Sequence, residues 1–372
     1  MRGTQMQRLL KGAFFYGDYN MNKIWKLDNE DQFYNNIVYK SKEETLSLIT
    51  SREKKIYYAN IIKHPKKNGF REICIIDKNS GLFDLQKHLK NNFLNNITIS
   101  DVAYGFIKNL NYYDYLVPHI NFYGDSFFLR LDIKDFFGSI KYDNIFDTMS
   151  YYFVESFDAE SKEELLDIIC QILTFQDKVI QGTPTAPILS NIIFRPLDIR
   201  IQKYCQKFDI IYSRYADDLL FSSNRNILFS SNFIKGIQNI ILSKNFEINH
   251  SKTIRCKNSI SLNGYVVDHS IRLSRKKFKQ LNRVLFYLEH NKFKNELLWF
   301  ENINSELKKF EQNEKVKTFS KNFGLVNFLA GNRSFLISSL KYSEDALYLK
   351  KCEHMINRIQ DQINYILKSV DY

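Results

Sequence analysis

The stretch SRYADDLLFSS, residues 213–223, sets two adjacent carboxylates, Asp217 and Asp218, into a run that otherwise has the composition of a buried strand. IIYSRYA leads into them and LLF follows. Carboxylates are almost never fully buried unless they are paired or bind a metal. A hairpin tip in water is one account, since Asp is common in turns. A cation shared between the carboxylates is the other, and the stretch alone does not separate the two.

The next segment outward that bears on the choice is SFFLRLDI, residues 126–133, a strong strand that ends at Asp132. If this strand and the one at 213–223 are neighbours in one sheet, their carboxylates converge. Three carboxylates at one point repel unless divalent cations offset them. Hard oxygen ligands without Cys or His point to magnesium or manganese. Two such ions, roughly 4 Å apart, polarise an attacking hydroxyl and stabilise a leaving oxygen in phosphoryl transfer.

Composition narrows the class. The 372 residues exceed one ordinary domain, and 44% hydrophobic with 15% aromatic residues supply a real core. A formal charge of +12 favours a polyanionic partner, although it also fits an anionic membrane surface. The 23 Tyr and 31 Phe interleave with cations in a way that suits stacked bases as well as phosphates. The cysteines at 74, 170, 205, 256 and 352 form no CxxC pair, which argues for a reducing compartment and against zinc or a disulfide framework. No apolar stretch approaches the roughly 20 residues of a membrane helix. The N-terminus, MRGTQMQRLLKGAFF, lacks a long apolar h-region. A cytoplasmic protein with no membrane partner is expected. No Walker A loop or GxGxxG is present.

Along the chain, residues 1–50 read as helical and polar. YYANIIKHPKKNGFREICIID, residues 57–77, reads as two β-type runs joined by PKKNG, a hairpin whose tip gathers Lys63, His64, Lys66, Lys67 and Arg71. A helix follows at LFDLQKHLKNNFL, and another helical region spans about 141–175. QGTPTAPILSN, residues 181–191, reads as a Gly/Pro loop feeding a helix from about Ala186. A helix near 231–243 separates the strands of IIYSRYADDLLFSS and SLNGYVVD. Beyond about 270 the pattern is helical and basic. It ends in an amphipathic helix with Leu349, Cys352, Ile356, Ile359, Ile363 and Ile366 on one face.

LDIKDFF, QGTPTAPILSN and YADD, in this order and spacing, resemble the palm motifs of reverse transcriptases, especially bacterial retron-type enzymes. NGFREI and AYGFIK stand ahead of them as in that family, and LAGNRSFL resembles its thumb. The resemblance implies an α+β right-hand polymerase: a helical N-terminal extension at 1–54, interleaved fingers and a ferredoxin-like palm with an antiparallel sheet at 55–269, and a helical thumb at 270–372. It makes Asp132, Asp217 and Asp218 the catalytic and metal residues and adds Ile133 to the metal and nucleotide contacts. Phe137 falls where the family places its sugar-gating aromatic; an ordinary core Phe is the other reading. Gln181 and Gly182 match the loop against the incoming nucleotide, or a plain helix-entry turn. Arg71 matches the arginine that grips the triphosphate, a task suited to its bidentate fork. Lys63 either assists it or belongs to a solvated basic turn. Lys252, in NFEINHSKT, resembles a lysine near the leaving pyrophosphate, where it can act as an acid; a surface lysine is the other reading.

Two features depart from retron enzymes, which typically carry NAxxH before the first catalytic strand and VTG after the hairpin. Here YLVPH keeps only His119, and Leu262, Asn263 and Gly264 keep only the glycine. This is similar to defence-associated and abortive-infection relatives. The expected function is an RNA-directed DNA polymerase using two Mg2+ ions, with Mn2+ as a substitute. Its partners would be dNTPs, a structured noncoding RNA template, the DNA product or RNA/DNA hybrid, and an effector or toxin protein in anti-phage defence. The alternatives are untemplated or protein-primed DNA synthesis and a vestigial RNA-binding scaffold.

Overall fold

A computed structural model describes residues 26–66, 69–74, 76–120, 124–291, 300–305, 322–340, 343 and 345–370. The expected helical character of residues 1–25, and Lys67 at the hairpin tip, lie outside the described residues.

Nine strands form three antiparallel sheets among the described residues. β1 (Ile61–Lys66) and β2 (Gly69–Cys74) make a two-stranded hairpin. The central sheet holds β3 (Phe127–Asp132), β4 (Ile211–Tyr215), β5 (Asp218–Ser223) and β6 (Ile254–Lys257) in the order β4-β5-β3-β6. Helices connect β3 to β4 and β5 to β6, while a tight turn joins β4 to β5. That is the split βαββαβ arrangement of a ferredoxin-like palm. β7 (Ile260–Leu262), β8 (Tyr265–Val267) and β9 (Ile271–Leu273) make a small third sheet. SLNGYVVD is therefore not one strand. Asn263 and Gly264 have φ of 47° and 92° and turn the chain between β7 and β8, as an Asn-Gly pair favours.

Side-chain alternation along β3 and β5 sorts the two faces. Leu129, Leu131, Leu219 and Phe221 enter the large core with Leu189, Ile193 and Phe194 of helix Ala186–Gln206 and Phe233 and Ile237 of helix Ser231–Leu242. Each fully buried side chain of this kind contributes about 1.5–3 kcal/mol. Phe128 and Leu220 face the other way, against Tyr113, Tyr115 and Leu116 of the short helix Tyr112–Leu116 and against β7–β9. The N-terminal side chains from Leu27 to Tyr58 join the same large core. The helical region expected over 141–175 is two helices, Tyr142–Ser150 and Ala159–Leu173. Asp158 starts the second by accepting from the Ser161 N–H, a favoured N-cap contact.

Leu281, Leu285 and Leu288 of helix Arg275–His290 pack with Leu325, Leu329 and Leu336 of helix Asn322–Leu340. Cys352, Met355, Ile359 and Ile363 of helix Ala346–Val370 complete this separate core. Palm, fingers hairpin and helical C-terminal bundle together give the right-hand polymerase fold. No helix among the described residues is long and apolar enough to cross a membrane.

Candidate active site

The register of the central sheet pairs Asp132, the last residue of β3, directly with Asp218, the first of β5. Paired residues in an antiparallel ladder point to the same face, with Cα atoms about 4.5–5.5 Å apart. Asp217 occupies the turn beside them, where Ala216 takes φ 55° so that two residues close the β4–β5 connection. The main chain fixes both ends of the site. The Ile133 N–H donates to the Asp217 carbonyl at 2.9 Å, and the Asn249 N–H donates to the Asp132 carbonyl at 2.7 Å. Asp132 and Asp218 are buried, with 2% and 8% of their surface exposed. Asp217 is half-buried.

Two cations share this charge. Lys252 Nζ lies 2.8 and 2.9 Å from the two carboxylate oxygens of Asp132, with its own side chain 47% exposed. Arg130, two residues before Asp132 on the same face of β3, donates from Nε to Asp218 Oδ1 at 2.9 Å. Its Nη2 makes a second contact to the same oxygen and lies 3.8 Å from Asp132 Oδ1. Burial pushes the Asp218 carboxyl up to about 6; Arg130 pulls the other way, while Asp217 and Asp132 add to the rise. The rise comes mainly from the loss of water around the buried carboxylate. Among the described residues no three His, Cys, Asp or Glu side chains stand together as a ready metal cage. The donor set nevertheless fits a hard divalent cation: its ligands are oxygen-only, and two of its carboxylates are paired across adjacent strands.

The other face of the same hairpin is closed. Arg214 of β4 is fully buried and forms a forked pair with Asp198 of helix Ala186–Gln206, with Nε at 2.9 and 3.1 Å and Nη2 at 2.7 Å. Its Nη1 donates to Asn191 Oδ1 at 3.1 Å and to the Ala216 carbonyl at 3.2 Å, and Tyr212 donates its hydroxyl to Asp198. The segment AYGFIK leans on this assembly. Asn191 Nδ2 donates to the Gly105 carbonyl at 2.9 Å, and the Tyr104 N–H donates to the Arg214 carbonyl at 2.8 Å. A Cβ on Gly105 would stand 2.6 Å from the Ala216 nitrogen, so only glycine allows this approach to the β4–β5 turn. Further along the hairpin, buried His119 bridges β4 and β5. Ser213 donates its hydroxyl to the Tyr115 carbonyl, so it accepts from His119 Nε2, and Nδ1 accepts from Ser222, both at 2.7 Å. Burial pushes this imidazole down to about 3 and keeps it neutral.

The remaining expected site residues fall around this centre. Ile133 is buried, and its main-chain carbonyl is the only oxygen it has to offer. Phe137 is half-buried, with its ring 5.8 Å from that of Phe106. The Gln181 carbonyl accepts from the Cys74 N–H at 3.2 Å, tying the loop to β2. Gly182 has φ 112°, and a Cβ there would meet the Cys74 carbonyl at 2.3 Å. Arg71 sits in β2 opposite His64, and exposed Lys63 sits in β1 opposite Glu72. Lys252 contacts the Asp132 carboxylate directly. Sequence reading missed Arg130, Arg214, Asp198, Asn191 and Gly105. The available signal was the same as for the aspartates: a charged side chain inside an apolar strand, as in FLRLD and IYSRY, needs a partner.

The central sheet is a ferredoxin-like palm with two carboxylates opposed at the ends of adjacent strands. The chain belongs to the family described as reverse transcriptase (RNA-dependent DNA polymerase), whose pattern matches residues 62–267. That family works with a divalent metal. Retron Ec86 reverse transcriptase of Escherichia coli is 28% identical over 210 residues, 55% of this chain and 61% of that protein. Retron Ec73 reverse transcriptase of the same organism is 29% identical over 231 residues, 56% of this chain and 68% of that protein. These similarities support a bacterial retron-type reverse transcriptase, and the chain spans about three-fifths of the first relative's length. Among solved structures, telomerase from Candida albicans in complex with a TWJ fragment of telomeric RNA is 15% identical. That match covers 83% of this chain and 62% of that one, with a TM-score of 0.40.

Proposed function

We propose that the protein is an RNA-directed DNA polymerase that extends a primer with deoxynucleotides by two-metal-ion transfer. The observation that carries this reading is the pairing of Asp132 with Asp218 across β3 and β5, with Asp217 tied to Ile133 beside them. Magnesium is the expected ion, with manganese as a substitute, held by Asp132, Asp217 and Asp218 and by the Ile133 carbonyl. When bound, the ions lower the charge on the attacking and leaving oxygens. The chain's own groups do the rest. Arg71, helped by Lys63, receives the triphosphate from the fingers hairpin, and Gln181 and Gly182 line the loop docked on that hairpin. Phe137 closes the space beside the sugar C2′ and rejects the 2′-hydroxyl that marks a ribonucleotide. Lys252, already at the carboxylates, protonates the departing pyrophosphate. The basic helices after residue 270 act as the thumb and follow the RNA/DNA backbone through salt-sensitive phosphate contacts.

The template in this reading is a structured noncoding RNA, and the setting is cytoplasmic anti-phage defence with an effector protein as partner. The resemblance of LDIKDFF, QGTPTAPILSN and YADD to retron-type enzymes supports the first, and the drift of YLVPH and LNG supports a defence-associated branch. The test is primer extension on an RNA template by the wild type and by the Asp217→Ala, Asp218→Ala variant. Template-dependent DNA synthesis lost in the variant is the expected result. Undiminished synthesis by the variant ends the metal assignment, and product whose base composition ignores the template ends the templated reading.

A further inference from the structure

Phe106 has an unusual conformation for its residue type. Its φ is 64°, in the left-handed region that few non-glycine residues occupy and bulky ones least of all. The residue is 43% exposed rather than sunk in a core. Such a conformation persists only where the surroundings impose it, and it tends to mark functional sites. Here the surroundings do impose it. Tyr104 and Gly105, the two preceding residues, are fastened to the catalytic hairpin through the Arg214 carbonyl, the Asn191 side chain and the close approach to Ala216. The outcome of this fastening is a ring placed 5.8 Å from that of Phe137, tilted by 45°. The buried ring of Phe136 also lies against Phe137, at 5.5 Å.

We propose that Phe106 is a positioning residue that fixes the sugar-facing ring of Phe137 and thereby sets the preference for deoxyribonucleoside over ribonucleoside triphosphates. The inference rests on the reading of Phe137 as the sugar gate. Phe136 supports the gate from the core, and Phe106 supports it from the open side. A ring steadied on one side alone tips aside for a 2′-hydroxyl, whereas a ring held between two neighbours does not.

The test measures kcat/KM for a dNTP and the matching rNTP in single-nucleotide extension. Phe106→Ala and Phe106→Asn both remove the ring, and Asn accepts the left-handed backbone. Each is expected to lower the dNTP-over-rNTP ratio by about 2- to 10-fold, the span of one aromatic pair contact. The loss should come mainly through a lower KM for the ribonucleotide, with dNTP turnover little changed. Phe106→Tyr keeps the ring and should keep the ratio. Phe137→Ala should lower it further, and adding Phe106→Ala to that variant should change nothing more. If Phe137→Ala relaxes selectivity while both Phe106 variants keep the wild-type ratio, the inference is overturned and the gate stands. Additive effects in the double variant overturn it as well. If Phe137→Ala leaves the ratio intact, the gate reading itself fails, and the inference with it.

Discussion

The β4–β5 hairpin carries buried charge on both faces, and the two faces treat it in opposite ways. On one, Arg214 and Asp198 are both fully shielded, and Asn191, Tyr212 and the Ala216 carbonyl take up their remaining hydrogen bonds. On the other, the cations that hold Asp132 and Asp218 are Lys252 and Arg130, with side chains 47% and 19% exposed, and Asp218 stays raised to about 6. A closed pair whose nitrogens and carboxylate oxygens are all hydrogen-bonded serves as a strut. A buried acidic cluster whose cationic partners reach solvent is suited to receive a further cation. The strut holds the turn on which that second cluster depends.

The sharpest way to break this comparison is to remove one acid from each face and measure stability. Asp198→Ala leaves Arg214 buried and unpaired and should cost about 3–5 kcal/mol in denaturant unfolding. Asp132→Asn should leave stability unchanged or slightly higher, because it relieves repulsion. Equal losses in the two variants would erase the distinction between strut and site.

A second test uses pH, without added metal. The folded-state value of Asp218 lies above its ordinary 3.8, at about 6, so the folded protein binds this proton more tightly than the unfolded chain. Stability from this group is therefore fully present below about pH 4 and is lost as pH rises through about 6. The stability of Asp218→Asn relative to wild type should widen in its favour between these values, on the order of 2–3 kcal/mol. A flat difference would show that burial does not raise the Asp218 carboxyl in the folded protein.

Gly105→Ala probes the link between the faces, because its Cβ would press on the Ala216 nitrogen. Overpacking of this kind costs about 1–3 kcal/mol, and DNA synthesis should fall along with stability. The smallest effect belongs to Lys252→Met. Half-exposed ion pairs are worth about 0–1 kcal/mol, so thermal stability should barely move while turnover drops.

Much of this was legible in the sequence. The apolar runs ending at Asp132 and interrupted at Asp217 and Asp218 announced two strands with acids at their ends. The ordered motifs announced the palm around them. Register was not legible, since nothing in either run dictates that residue 132 faces residue 218. The two-residue turn at Ala216 and Asp217 sets only Tyr215 opposite Asp218; the pairing of Asp132 with Asp218 comes from how β3 docks beside β5 in the folded sheet. Arg130 and Arg214 stayed hidden because a basic residue in an alternating strand usually points to water. The partner of Arg214, Asp198, comes from a helix whose docking only the tertiary fold reveals. Tyr57 reads as strand by its aromatic character, yet it closes helix Ser51–Tyr57, started by the Thr50 cap. There a local hydrogen bond outweighs β propensity.

The central claim is that the open acidic cluster performs metal-dependent DNA synthesis. Its most direct measurement is incorporation of dNTPs on an annealed RNA template across a magnesium titration, comparing wild type with Asp132→Asn. The account predicts saturable, magnesium-dependent extension by the wild type and a loss of about 10²–10³-fold or more in the variant, with folding intact. Extension by Asp132→Asn at the wild-type rate and with the same magnesium dependence would contradict it.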